Sequence, residues 1–212
     1  MSQRRVVVTG LGTVNPLANN VKDTWDKLIR GESGVRRIKT FDASEYTSQV
    51  GGELQDFDFT KHFTAENVNR ARKLDPFVHY AQAATHEALA MAGLGKDNTT
   101  FPRDRIGICV GSGIGGLHTQ IKQTEAYMNK GHKRVSPFYI PALIGNIASG
   151  FVSMEEDLRG PNLSTQTACA TGNHSIGTAF FILQNGMAEA MVCGGTEATI
   201  LGICFAGFGN MK

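Results

Sequence analysis

Cysteine is scarce and unpaired in this sequence: Cys109, Cys169, Cys193 and Cys204 are the only four, and no two form a CxxC. Such spacing offers neither a zinc ribbon nor a disulfide framework, and reduced thiols of a cytoplasmic protein fit it better. No apolar run reaches the ~18 residues that a membrane span needs. Met1-Ser-Gln leads straight into Arg4-Arg5-Val6-Val7-Val8, so no signal peptide is expected. Net charge is also small. Lys+Arg 21 against Asp+Glu 19 leaves +2, too little for a broad nucleic-acid-binding surface, although a local basic patch remains open. The Asn-x-Ser/Thr sequons at Asn98 and Asn162 are then chance matches.

What the chain has in excess is glycine, 25 of 212 residues, well above the usual ~7%. Tight turns and close backbone approaches follow from that. Hydrophobic residues at 41% and charged residues at 19% describe a globular chain, long enough for one large domain or two small ones.

The pattern along the chain alternates strand and helix. Arg5–Thr9 is β-branched and ends at Gly10-Leu-Gly12, which reads as a buried strand. A helix is expected over Val21–Arg30, stopped by Gly31, then a turn-rich stretch over 31–65 with a short strand near Gln49–Leu54. The clearest helix is 76–92: Asp75 suits the N-cap, Pro76 the first turn, and Gly93 the position past the end. Phe77, Ala81, Ala84, Ala88 and Met91 form one stripe on it, small enough for tight packing against another element. Further strands are expected at Arg105–Val110, Leu163–Thr167 and Ala190–Cys193, and helices over 117–130, after Pro141, and over 169–184. This alternation implies an α/β domain with a mostly parallel sheet.

Three constellations bear on chemistry. Gly111-x-Gly113-x-x-Gly116 matches the dinucleotide fingerprint formally, but the acid expected ~20 residues later is missing. Gly10-Leu-Gly12 is a similar near-match with Asn15 in the third glycine position. Both read as glycine turns. In Thr167-Ala168-Cys169-Ala170-Thr171-Gly172, small residues crowd a cysteine where a strand gives way to a helix. Unpaired N–H groups at such a helix start favour a thiolate and can hold an oxyanion, and the small neighbours leave room for a substrate. The competing reading is a small core cysteine, which fits Cys109, Cys193 and Cys204 in their apolar segments. No histidine presents itself as a base: His174, five residues on, points ~140° away around the helix. His79 and His86 lack a third ligand for a metal, and His62, His118 and His132 lie in polar stretches expected to be exposed. Last, Arg70, Arg72 and Lys73 crowd one short run, a solvated face or a docking patch for an acidic partner.

Six segments taken together resemble the beta-ketoacyl-acyl carrier protein synthases, most of all the elongating synthase II branch of bacterial type II fatty acid synthesis. They are Arg4-Arg-Val-Val-Val-Thr-Gly-Leu-Gly12, Gly111-Ser-Gly-Ile-Gly-Gly-Leu117, Ser136-Pro-Phe138, Leu158-Arg-Gly-Pro161, Thr167-Ala-Cys-Ala-Thr-Gly172 and Gly194-Gly-Thr-Glu-Ala198. The resemblance implies a thiolase-like αβαβα layered sandwich, here its N-terminal lobe with a mixed, mostly parallel sheet. It implies a usually homodimeric acyltransferase without a cofactor, working on acyl and malonyl thioesters of acyl carrier protein. By resemblance Cys169 is the acyl-accepting nucleophile and its N–H part of the oxyanion hole. Ile114 and Phe138 fall near the acyl pocket and dimer interface, Phe208 on a loop beside that pocket, and Arg72 and Lys73 where carrier protein docks.

The family's catalytic histidines and lysine belong to motifs of a second half that these 212 residues do not contain. The resulting expectation is one N-terminal synthase domain over 1–212, truncated or split, with little condensing activity alone but able to take an acyl group on Cys169. It should expose an apolar face and self-associate or need a partner chain. Two alternatives stay open: a thiolase or starter-unit synthase, and a non-catalytic carrier-binding subunit of the chain-length-factor kind, which lacks the cysteine this chain keeps.

Overall fold

In the computed structural model, which describes residues 4–211, thirteen helices and strands follow one another. They are α1 (Val21–Ile29), β1 (Arg36–Arg37), β2 (Val50–Gly51), α2 (Val68–Ala71), α3 (Pro76–Ala92), β3 (Ile106–Gly111), α4 (Leu117–Lys130), α5 (Tyr139–Leu143), α6 (Ile147–Glu155), β4 (Asn162–Leu163), α7 (Thr171–Gln184), β5 (Ala190–Gly195) and α8 (Gly202–Asn210). Short 3-10 turns intervene. The central sheet runs β4-β3-β5, all parallel, with Ile108 opposite Val192 and Cys109 opposite Cys193. Antiparallel pairing is confined to the separate β1–β2 ribbon.

Every residue of β3 is buried, as its apolar and glycine-rich composition requires. Its two faces serve two layers. Ile106, Ile108 and Val110 join the core with Phe77, Val78 and Ala81 of α3 and Phe151 and Val152 of α6. On the other face, the Cys109 sulfur reaches Ser175 and Gly111 lies against Thr171, both on α7. The result is a helix–sheet–helix stack with β3 in the middle.

The expected helix over 76–92 is α3, closed by Gly93 in the left-handed conformation at φ 68°. Its small stripe does pack tightly: a Cβ on Gly12 would overlap the Ala84 carbonyl oxygen, and one on Gly10 the Ala88 carbonyl oxygen. The stripe's last member departs from expectation, since Met91 stands 59% exposed. Asp75 occupies the N-cap position of α3, but its carboxylate makes no cap bond there. It accepts instead from the Thr119 N–H (2.7 Å), in the first turn of α4. One helix's entry residue therefore closes a neighbouring helix, and burial holds the Asp75 carboxyl above the usual carboxylate range.

Other departures have simple causes. Residues 5–9 form no strand, and Val7 and Val8 are 65% and 81% exposed; no strand among the described residues offers them a ladder, and a strand exists only as one member of a pair. β4 is two residues long, not five. Asn162 and Leu163 pair with β3, after which the Ser149 hydroxyl takes the Leu163 carbonyl (2.6 Å) and the chain turns away. β5 is half exposed because it is the sheet's outer strand. His62 is half-buried and stacked on Phe57 (5.5 Å between rings), not exposed. The one helix expected after Pro141 is two: α5 starts ahead of the proline, at Tyr139, and α6 follows from Ile147.

Large apolar side chains remain open on α7 and α8: Ile176 52%, Phe180 40%, Phe181 62% and Ile203 62%. Among the described residues no helix is long and apolar enough to cross a membrane.

Candidate active site

β3 and β5 end together at Gly111 and Gly195, β4 two residues earlier at Leu163 opposite Cys109, and the segments leaving those ends converge. This carboxyl edge is where α/β sheets present ligands. The segment after β4 carries Cys169 on a single 3-10 turn, Ala168–Ala170, which runs directly into α7. Cys169 is exposed, and among the described residues its backbone N–H meets no acceptor.

That turn is strained and clamped. Ala168 holds φ +52°, a left-handed conformation costing an L-residue on the order of 1 kcal/mol. The neighbours over-determine it. Thr167 N–H donates to the Thr171 hydroxyl (2.8 Å), and Ala170 N–H to the Thr167 carbonyl (3.2 Å). The Thr165 hydroxyl donates to the Thr171 carbonyl (3.1 Å) and lies 2.7 Å from that of Ser175. His174 closes the outside, its Nδ1 2.7 Å from the Thr167 hydroxyl. The imidazole is therefore engaged with the turn's threonine; the helical offset expected between it and Cys169 does not apply, because Cys169 sits on the 3-10 turn ahead of α7. A thiol so held is oriented ahead of any reaction, beside its own free backbone N–H, while the first N–H of α7, on Thr171, is taken up by the Ala168 carbonyl.

Glycine makes the close approach to the sheet. At Gly111 a Cβ would overlap the Thr165 carbonyl and the Thr171 methyl group, and Gly172 and Gly195 meet backbone to backbone.

The segment after β3 forms the opposite wall. Glu197, just past β5, accepts from the Ser112 hydroxyl (2.9 Å) on one oxygen and from the Gly113 and Ile114 N–H groups (2.9 and 3.1 Å) on the other. Ser112 in turn accepts from Gly115 N–H (2.9 Å). A Cβ on Gly113 would lie 3.3 Å from the Ala168 carbonyl, so this loop abuts the cysteine turn, with Ile114 44% exposed beside it. Sequence reasoning used Glu197 only as part of a motif. A carboxylate two residues past a strand end, facing successive glycine-loop N–H groups, was the available signal.

The remaining sequence-derived positions gather elsewhere. Arg72, Lys73 and Phe138 line one cleft of about 410 Å³ together with His118 and Lys122, and Lys73 Nζ sits 4.2 Å above the Phe138 ring. Phe208 is 64% exposed on α8. That helix packs through Phe205 on Phe41 (5.5 Å between rings) and brings Cys204 near Glu197. Burial first, then that carboxylate, pushes the Cys204 thiol up. Burial also raises Cys109, whereas Cys193, expected as a core residue, is exposed on the outer strand, its thiol raised by partial desolvation and then by Cys109. Among the described residues no three His, Cys, Asp or Glu side chains form a metal-binding group. His79 is buried, 2.9 Å from the Ala71 carbonyl and stacked on Phe59, and His86 faces Glu156 at 3.4 Å.

The model of the family "Beta-ketoacyl synthase, N-terminal domain" matches residues 3–212. A 3-oxoacyl-[acyl-carrier-protein] synthase 2 of Staphylococcus aureus strain N315 is 45% identical over 210 residues, 98% of this chain and 49% of that protein. The protein of the same name from Synechocystis is 42% identical over 212 residues, 100% of this chain and 50% of its own. The crystal structure of a beta-ketoacyl synthase from Burkholderia phymatum superposes with a TM-score of 0.84 at 26% identity, covering 98% of this chain and 50% of that one. The ishigamide ketosynthase/chain length factor gives 0.84 at 26% identity, covering 99% and 51%. The chain spans about half the length of the curated relatives it matches. With the layered fold, a cysteine turn at the sheet's carboxyl edge and a family match along nearly its whole length, the chain belongs to the beta-ketoacyl synthases, in their N-terminal domain.

Proposed function

We propose that residues 1–212 are the N-terminal domain of an elongating beta-ketoacyl-acyl carrier protein synthase, in which Cys169 carries the growing acyl chain. The Cys169 thiolate attacks the carbonyl carbon of an acyl-carrier thioester, and the oxyanion that forms is held by the free Cys169 N–H. The carrier's thiolate leaves, and the acyl group remains on Cys169. Malonyl-carrier protein then loses CO2, and the resulting carbanion attacks the Cys169 thioester. The cysteine thiolate is expelled, leaving a beta-ketoacyl-carrier product two carbons longer. No cofactor enters these steps.

The observation that carries this reading is the exposed thiol on a clamped 3-10 turn, entered through left-handed Ala168, whose own N–H is free. The names of the relatives support the substrate class. Decarboxylation needs donors that stabilise the carbanion, each worth about 10²–10³-fold. The one imidazole beside the turn, His174, is committed to Thr167. These 212 residues alone therefore take up acyl groups but condense poorly.

Carrier protein docks at the cleft of Arg72 and Lys73. A carrier protein as partner, though not the place it docks, is supported by a solved complex of a type II polyketide acyl carrier protein with its ketosynthase, which matches this chain with a TM-score of 0.79 at 26% identity over 98% of it and 55% of that chain. Ile114, Phe138 and Phe208 border the acyl path. The open apolar residues of α7 and α8 are covered by a second copy or a partner chain, in a cytoplasmic assembly.

Incubation with acyl-carrier protein followed by mass spectrometry tests the reading. The expected result is one acyl mass on Cys169, absent from Cys169→Ala. No adduct, or an adduct that survives the substitution, overturns it. Retention of the cysteine weighs against the non-catalytic chain-length-factor reading.

A further inference from the structure

We propose that Cys109 and Cys193 form a dithiol site that a hydroperoxide oxidises to a disulfide, locking the outer strand β5 to β3. The site is separate from Cys169, and the inference stands whether or not that residue carries an acyl group.

The two cysteines are register partners on adjacent parallel strands, β3 in the middle of the sheet and β5 at its edge. Residues paired in this way point to the same face. That face is the one toward α7, because the Cys109 sulfur reaches Ser175 there, while the preceding pair, Ile108 and Val192, turns to the apolar core of the opposite layer. Neighbouring strands run ~4.8 Å apart, within the about 4.4–6.8 Å between Cα atoms that a disulfide spans. The thiols already sense each other: after desolvation, Cys109 is what raises the Cys193 thiol. Exposure divides their roles. Cys193 is open to a small reagent, and Cys109 is fully buried beside it.

The Cys193 thiolate attacks one oxygen of the hydroperoxide. The O–O bond breaks, the other oxygen leaves as an alcohol or water after taking up the thiol's proton, and Cys193 becomes a sulfenic acid. The Cys109 sulfur then attacks the Cys193 sulfur, the S–O bond breaks, and water departs with the Cys109 proton. Two thiols have lost two electrons, and the hydroperoxide has gained them. Desolvation holds both thiols above the ordinary cysteine range. Little thiolate is therefore present at neutral pH, and the pair stays reduced until hydroperoxide is in excess. The new bond closes a loop that contains α4, α5, α6 and α7, and such a closure restricts the unfolded chain more than the folded one.

The test treats the protein, purified at its natural length, with hydrogen peroxide and maps its peptides without reduction. The expected result is one cross-linked pair carrying Cys109 and Cys193, lighter than the two free peptides by two hydrogens and released by dithiothreitol. The pair must persist in Cys169→Ala, which removes the exposed thiol of the cysteine turn, and vanish in Cys193→Ser. The urea midpoint of the oxidised protein is expected to rise above that of the reduced protein, with no such rise in Cys193→Ser. Should Cys193→Ser not fold, Cys109→Ala takes its place with the same expected losses. Three results overturn the inference: no cross-linked pair, a pair joining other cysteines, or a Cys109–Cys193 bond that leaves the urea midpoint unchanged or lowers it. The last would mean that the strands had to leave register before the sulfurs could meet.

Discussion

Two glycine-to-alanine substitutions in this chain should move stability in opposite directions. At Gly111 the new methyl group would overlap the Thr165 carbonyl and the Thr171 methyl group and stand 2.9 Å from the Thr165 hydroxyl. Two of these atoms belong to the segment that leads into the cysteine turn, and one of the two is backbone, which yields less readily than a side chain. Overpacking of this kind costs about 1–3 kcal/mol, and the backbone contact places Gly111→Ala near the upper end. Relief requires Thr165 to retreat from the end of β3, and Thr165 is bonded to Thr171 and Ser175. The cysteine turn is drawn along. Gly177 lies within α7 with nothing inside 4 Å of its would-be Cβ, so Gly177→Ala should stabilise by about 0.5–1 kcal/mol through helix propensity. Urea unfolding gives both values, and iodoacetamide alkylation of Cys169 reports the turn. The expected pattern is a large loss of stability with slowed alkylation for Gly111→Ala, and a small gain with unchanged alkylation for Gly177→Ala. A Gly111→Ala protein within about 0.5 kcal/mol of the parent and alkylated at the parent rate would refute the claim that this contact seats the turn.

Three further outcomes follow from the same geometry. At pH 7.5, iodoacetamide should modify Cys169 at least about tenfold faster than Cys109, which is fully buried and whose thiol burial raises; peptide mapping of a time course checks it. His79 and His62 have pKa values lowered, first of all by burial, from 6.5. The unfolded chain thus binds more protons there, and stability is fully present above about 6.5 and lost as pH falls below it. Urea midpoints between pH 8 and 5 should show that loss, with a shallower slope in His79→Gln. The double substitution Arg72→Glu, Lys73→Glu should raise KM for acyl-carrier protein by about tenfold with kcat little changed, and the difference should shrink as salt rises.

Local signals carried much of the fold. Pro76 and Gly93 bracket α3 as their backbone preferences demand, and the small stripe of Ala84 and Ala88 foretold a close neighbour, which proved to be the backbone of Gly10 and Gly12. The place of Cys169 at the start of a helix was legible from its small neighbours, although those neighbours alone left a small core cysteine equally open until its exposure was seen. What escaped were relations between distant segments. Nothing near Asp75 announces that its carboxylate serves Thr119, forty-four positions away. Glu197 likewise meets Ser112 across eighty-five positions. The strand expected at Arg5–Thr9 shows the reverse error: β-branched composition states a capacity for pairing, and the ladder depends on a partner that composition does not name.

Thr196 deserves a last consequence. Its amide holds the end of β3 and its hydroxyl holds the first turn of α3, only a few residues from Arg72 and Lys73. The end of β3, against which Thr165 and Thr171 pack, is therefore pinned to the start of α3, so the basic cleft and the cysteine turn are carried by elements that shift together.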